Sequence, residues 1–118
     1  MTEIIKKERS IGVKAMPKAC CTQMVNFGEN IRLARTRRKI RQEDMAKRIA
    51  ISVKTYRKIE SGDPTVAVGL YASALFMLGI SEDFSSLVDP AKDRIGMSME
   101  RRNMPERIRL KKDKELDF

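Results

Sequence analysis

The 118-residue sequence predicts an all-α domain of five short helices. Three observations predict it. From Ile31 to Ile80 apolar residues recur at spacings of three and four, the period of an amphipathic helix. Strong stop signals, Ser61-Gly62-Asp63-Pro64 and Gly79, cut that stretch into short pieces. Most pieces pair an apolar face with a polar one, and the early ones make that polar face strongly basic.

Helix 1 is predicted from Gly28 to Arg38, with Phe27, Ile31 and Ala34 turned to the core. Helix 2 is predicted from Gln42 to Ile49, with Met45, Ala46 and Ile49 inward. A tight turn at Ala50-Ile51 leads to Ser52, whose hydroxyl suits it to cap a helix beginning at Val53. In that third helix Tyr56 and Ile59 lie three apart and face inward, which leaves Val53, Lys54, Arg57 and Lys58 outside. Core packing is the stronger reading of Tyr56; a phosphate contact is the weaker one. Helix 4 runs from Val66 to Leu78 and carries Val68, Leu70, Leu75, Phe76 and Leu78. Ser81 opens helix 5, with Phe84, Leu87 and Val88, and Asp89-Pro90 closes the domain.

The organisation expected is therefore an N-terminal arm at 1–26, a helical domain at 27–89 and a charged tail at 90–118. In the arm Ile11, Val13 and Ala15 alternate as in a short extended piece, and Pro17 limits regular structure. Residues 91–118 hold nine basic and six acidic residues, too polar to bury a core alone. A short helix near Asp93–Arg102 and docking of the Ile108 and Leu110 segment on a partner are the orders available to it. A domain of this size is marginal by itself, and dimerisation is a common remedy. Phe76, Phe84 and Leu87 are the candidates for a homodimer seam.

The net charge is +9, and it is unevenly placed. Between Arg32 and Lys58 eleven basic residues face only Glu43 and Asp44, whereas every charge from Ile59 to Asp89 is acidic. A basic segment of this density favours a polyanion, nucleic acid before an acidic membrane. There is no histidine, no glycine-rich phosphate loop and no cysteine set with zinc spacing. An enzyme is disfavoured, and no metal or cofactor is expected. The only two cysteines, Cys20 and Cys21, are adjacent, where a disulfide would be strained; they read as free thiols before a redox or soft-metal pair. Met45 and Met77 read as core, and Met97, Met99 and Met104 as tail. No apolar run reaches membrane-spanning length, and the first residues place lysines where a secretion signal needs an apolar core. The expectation is a cytoplasmic, nucleoid-associated protein with no membrane partner.

Two short helices joined by a tight turn, the second exposed, form a reader of duplex DNA when the second enters the major groove. Base edges would then meet Val53, Lys54, Thr55, Arg57 and Lys58. Lysine donates to guanine and valine packs on a thymine methyl. Gln42 and Ser52 stand at helix starts, where phosphate oxygens are favoured. The alternative, an ordinary solvated helix face, loses ground once Gln42, Ser52 and Gly62 are in register.

The residues Gln42-Glu43-Asp44-Met45-Ala46, Ile51-Ser52 and Tyr56-Arg57-Lys58-Ile59-Glu60-Ser61-Gly62 resemble the Cro/repressor-type helix-turn-helix (XRE) family. The resemblance implies a five-helix, lambda-repressor-like domain that binds double-stranded operator DNA as a homodimer. It implies phosphate contacts from Gln42 and Ser61 and a structural ion pair between Arg35 and Glu60. It also sets off two departures. Lys39 stands where glycine often ends helix 1, and Arg41 stands where serine or threonine often caps helix 2. Each costs on the order of 1 kcal/mol, and each adds charge near the DNA backbone, which makes Arg41 a further phosphate candidate. The Gly62-Asp63-Pro64-Thr65-Val66 turn and Leu75-Phe76-Met77-Leu78-Gly79-Ile80 are similar to HipB-type regulators. That likeness implies an antitoxin that neutralises a HipA-like kinase toxin and represses its own operon.

Overall fold

The computed structural model describes residues 12–104, and among these every regular element is helical. After a helical turn at 12–14 come α1 (Lys18–Arg37), α2 (Gln42–Arg48), α3 (Val53–Glu60), α4 (Val68–Met77), α5 (Glu82–Ser85) and α6 (Arg94–Asn103). Two 3₁₀ turns, Ser86–Val88 and Pro90–Lys92, lie between the last two. The described residues divide into two compact units between Phe84 and Ser85.

In the first unit one core holds Ile31, Met45, Ala46, Tyr56, Ile59, Tyr71, Ala74, Leu75 and Leu78. The Tyr56, Ile31, Met45 and Ile59 side chains are the largest fully buried ones, each contributing about 1.5–3 kcal/mol of apolar burial. Helix 1 begins ten residues sooner than the sequence suggests, at Lys18 instead of Gly28. Residues 18–26, read as arm, are thus helical, and the Pro17 carbonyl accepts from the Cys20 and Cys21 amides at 2.9 and 3.1 Å. The cause is Met24, which extends the Phe27, Ile31, Ala34 stripe by one turn and packs on the core. Cys20 and Cys21 are free thiols exposed on this helix. Val13, read as extended, lies in the helical turn at 12–14.

Gly28 explains how α1 crosses the end of α3. A Cβ there would meet the Glu60 carbonyl oxygen and the Gly62 nitrogen at 2.6 Å, so only a bare backbone fits. Gly62 is the reciprocal contact: its φ is +74°, and a Cβ on it would meet the Met24 carbonyl oxygen.

Helices α1 to α4 end in the same hydrogen-bonded pattern. A residue with positive φ follows each, and the next amide reaches back five residues: Ile40 to Arg35, Ile51 to Ala46, Asp63 to Lys58, and Ile80 to Leu75. The left-handed residues are Lys39 (φ 55°), Ala50 (φ 59°), Gly62 and Gly79. Three of the four following residues, Ile40, Ile51 and Ile80, pack against the core. That apolar contact holds the turn where a Cβ strains it.

Other boundaries move less. The fourth helix is Val68–Met77 rather than 66–78, and the fifth is one α-turn continued as a 3₁₀ turn. Met77, read as core, is exposed at the edge of α4. In the second unit α6 forms where a helix near 93–102 is expected, capped by Asp93, which accepts from the Gly96 amide at 2.9 Å. The expectations for residues 1–11 and 105–118, including the strand-like Ile108 and Leu110 segment, lie outside the described residues.

Two substitutions separate close approach from backbone strain. Gly28→Ala must push two helices apart and is expected to cost about 3 kcal/mol. Ala50→Gly relieves about 1–2 kcal/mol of left-handed strain and gives back about 0.5–1 kcal/mol in chain entropy, a small net gain. Urea unfolding followed by circular dichroism reads both signs.

Candidate nucleic-acid interface

Helix α3 is short, and its two faces differ sharply. Tyr56, Ile59 and Glu60 are buried; Lys54, Arg57 and Lys58 are exposed. Ser52 sits at the N-cap, where its hydroxyl oxygen accepts from the Thr55 amide at 3.1 Å and its own proton goes to Thr55 Oγ1 at 3.0 Å. The start of α3 is therefore fixed by side chains, and Thr55 is partly spent on that task. Val53 is half-buried and packs on the core, which reduces the apolar surface it presents outward. Of the five residues placed on base edges by sequence, Lys54, Arg57 and Lys58 share the open face, while Val53 and Thr55 lie at its inner rim.

The phosphate candidates are arranged less uniformly. Arg41 is the N-cap residue of α2, accepts no capping bond on its side chain, and leans on Asp44 at 3.3 Å across a well-exposed surface. Ser61 donates its hydroxyl proton to the Lys58 carbonyl at 2.8 Å. Gln42 is half-buried, and both ends of its amide are engaged by the protein. Its amide nitrogen donates to Glu60 Oε1 at 3.0 Å, and its amide oxygen accepts from Arg57 Nε at 3.3 Å.

Behind this face lies a charged pair taken out of water. Arg35 Nε donates to Glu60 Oε2 at 2.5 Å and Nη2 to Oε1 at 3.1 Å, while Nη1 donates to the Ile40 carbonyl at 2.8 Å. The two side chains retain 11% and 4% of their exposure. Burial alone would push the Glu60 carboxyl up; the bonds from Arg35 and Gln42, together with the nearby Tyr56 hydroxyl dipole, outweigh it and hold the carboxyl below the usual glutamate range. The Tyr56 hydroxyl lies buried beside the pair with no hydrogen bond of good geometry, and burial followed by the Glu60 carboxylate pushes its phenol well up. The turn after α3 is braced separately. Asp63 Oδ1 accepts from the Thr65 amide at 2.8 Å, and Tyr71 donates its hydroxyl proton to the Asp63 carbonyl at 2.6 Å.

The dimer candidates divide between the units. In the first, Phe76 is 65% exposed on α4, whereas Phe84 is partly buried against the core and offers little to a partner. In the second, Leu87 is 73% exposed.

Geometry of this kind, two short helices meeting through a four-residue turn with the second presenting cations, defines a helix-turn-helix segment. Residues 31–69 match the helix-turn-helix family model. The match spans α2, α3 and the helix ends flanking them, so it assigns the class of that segment. Comparison with curated proteins and with solved structures finds no match. Among the described residues no helix is long and apolar enough to cross a membrane.

Sequence reasoning missed Gly28 as a crossing point and Gln42 as a bridge. The first had a signal, since glycine inside a helical stripe asks for a packing reason. The second had none, because the partner Arg57 lies fifteen residues away and the bond depends on where Glu60 points.

The depressed Glu60 carboxyl fixes a pH dependence. Its stabilisation is complete above the unfolded glutamate range, about 4.3, and is lost as pH falls through the lower folded value. Breaking a buried pair costs about 3–5 kcal/mol. Glu60→Gln is therefore expected to melt well below the parent at pH 7 and to approach it as pH falls toward 2. Melting curves across that range measure the convergence.

Proposed function

We propose that this chain is a sequence-specific double-stranded DNA-binding regulator, working as a homodimer and repressing transcription. The observation that carries the reading is the α3 face. Lys54, Arg57 and Lys58 project from one short helix, and among the described residues no carboxylate lies within ion-pair distance of them. A solvated surface helix usually scatters charges of both signs; this one keeps three cations without an ion-pair partner over a base of Tyr56 and Ile59, with only the Asp63 carboxylate near enough to feel Lys58. Arg41, Lys47 and Arg48 on and beside α2 widen the positive field.

In this reading α3 enters the major groove, and the flanking cations displace counterions from phosphate. The cations supply affinity and its salt dependence, and the outer α3 residues supply sequence preference. A homodimer would read two half-sites about 34 Å apart, or a multiple of that. The exposed Phe76 and the shallow groove of Ile49, Ala50, Ala72 and Met77 beside it support pairing with a second copy.

A second reading, that of an antitoxin docking a HipA-like kinase while regulating its own operon, draws on the second unit. Leu87, Val88, Ile95, Met97 and Met99 are all exposed there, an apolar set on 3₁₀ and helical backbone. A double change, Ile95→Asp with Met99→Asp, is expected to spare duplex binding and abolish co-purification with such a kinase; retained co-purification counts against this reading.

The DNA reading is tested by two variants with opposite profiles. Lys54→Ala should narrow the gap between selected and random duplex, with a loss of about 1–3 kcal/mol on the selected one alone. Arg41→Ser should weaken both duplexes alike and, by capping α2, raise stability by about 1 kcal/mol. Fluorescence anisotropy on both duplexes at two salt concentrations distinguishes them, and equal binding by parent and both variants defeats the assignment.

A further inference from the structure

We propose that Gln42 is a positioning residue that aims Arg57 at a guanine in each half-site. The inference rests on the DNA-binding reading and specifies one base of the site. It starts from a hydrogen-bonded chain that runs from the core to the surface: Arg35 to Glu60, Glu60 to Gln42, Gln42 to Arg57.

The chain has only one sensible polarity. Glu60 is an ionised acceptor, so the Gln42 group facing it must be the NH₂. The amide carbonyl is thereby turned the other way, and it meets the Arg57 Nε–H. Reversing the amide would set oxygen against carboxylate and NH₂ against guanidinium, two repulsions in place of two bonds. The buried pair thus dictates which end of Gln42 reaches the surface, and that end is the one that holds a cation.

Held by Nε, Arg57 keeps both terminal nitrogens free. They form a planar two-pronged donor, which matches guanine O6 and N7. A phosphate would accept the same fork, but loss of such a contact would weaken all sequences alike and change the salt dependence, whereas loss of a guanine contact changes one position of the site. Among the described residues neither Lys54 nor Lys58 has a comparable tether. Fixing the fork before binding also lowers the ordering cost of a directional contact. The Gln42 amide is then a support for base reading, and its own bonding capacity is directed into the protein.

Selection from a random duplex library, read by sequencing, tests this with the full chain. The parent is expected to enrich a motif with one guanine per half-site that depends on Arg57. In Arg57→Ala, an exposed change that leaves the core intact, preference for that guanine falls by about tenfold while other positions hold. Gln42→Met keeps the side-chain length without its bonds. It is expected to lower the preference at the same guanine by a smaller factor, to leave the salt dependence of binding unchanged, and to add nothing in the Arg57→Ala background. The proposal is overturned if Gln42→Met weakens every sequence alike, or if its effect persists without Arg57. A parent that enriches no motif overturns the DNA-binding reading itself, a result distinct from both of those.

Discussion

The carboxylate of Glu60 is the point through which the first three helices are related. It belongs to α3, is paired by Arg35 of α1, and accepts from Gln42 at the first residue of α2. An ionised carboxylate this deeply buried is tolerated only if each oxygen is engaged, so the two partners and their three bonds are not interchangeable additions. The same Arg35 guanidinium also holds the Ile40 carbonyl and so fixes the loop between α1 and α2. A buried pair adds little net stability over an apolar replacement. Its contribution here is geometric, because it sets the angle and register of α2 against α3, which is what a groove-reading helix pair requires.

Around that fixed point the chain accepts strain. Lys39 and Ala50 take left-handed backbone where glycine would do so freely, and α2 starts on an arginine that cannot cap it. These sites flank α2, a seven-residue helix too short to persist alone. What holds α2 is tertiary: Met45 and Ala46 in the core, Ile40 and Ile51 packed beyond its two ends, and the Gln42–Glu60 bond at its start. Gly28 and Gly62 complete the frame by letting α1 lie directly on the α3 exit. The local weaknesses are thus concentrated on the element with the most supports.

Much of this was legible before any coordinates. The 3.6-residue period located Ile31, Met45, Tyr56 and Ile59, and all four are buried. Ser52 and Gly62 signalled a helix start and a helix stop because their chemistry is local. The reading failed where the cause was not local. Residues 18–26 look polar, yet Met24 and a bare Gly62 make them the first half of α1. Met77 and Phe84 show the same limit: both are apolar on short helices, and only the placement of the helices decides that Met77 is exposed and Phe84 partly buried against the core. At the candidate site, the outward direction of Lys54, Arg57 and Lys58 followed from period alone. That the Gln42 amide faces inward did not, since it depends on a carboxylate eighteen residues away.

That inward turn changes how the candidate interface relates to the fold. If the basic residues were only a coating, core and surface would vary independently, and charge could be moved about α2 and α3 at little consequence. Instead, one bonded path leads from Arg35, through Glu60 and Gln42, to Arg57. A change at Glu60 removes the acceptor that orients the Gln42 amide, and the freed amide no longer has a reason to hold Arg57. The cations nearest the path gain direction from it. Those farther off, on Arg41, Lys47 and Arg48, have no such link and supply field without direction. In the proposed reading affinity and selectivity rest on different residues for a physical reason: a charge acts at a distance through solvent, but a hydrogen-bonding fork must be held by something that does not move.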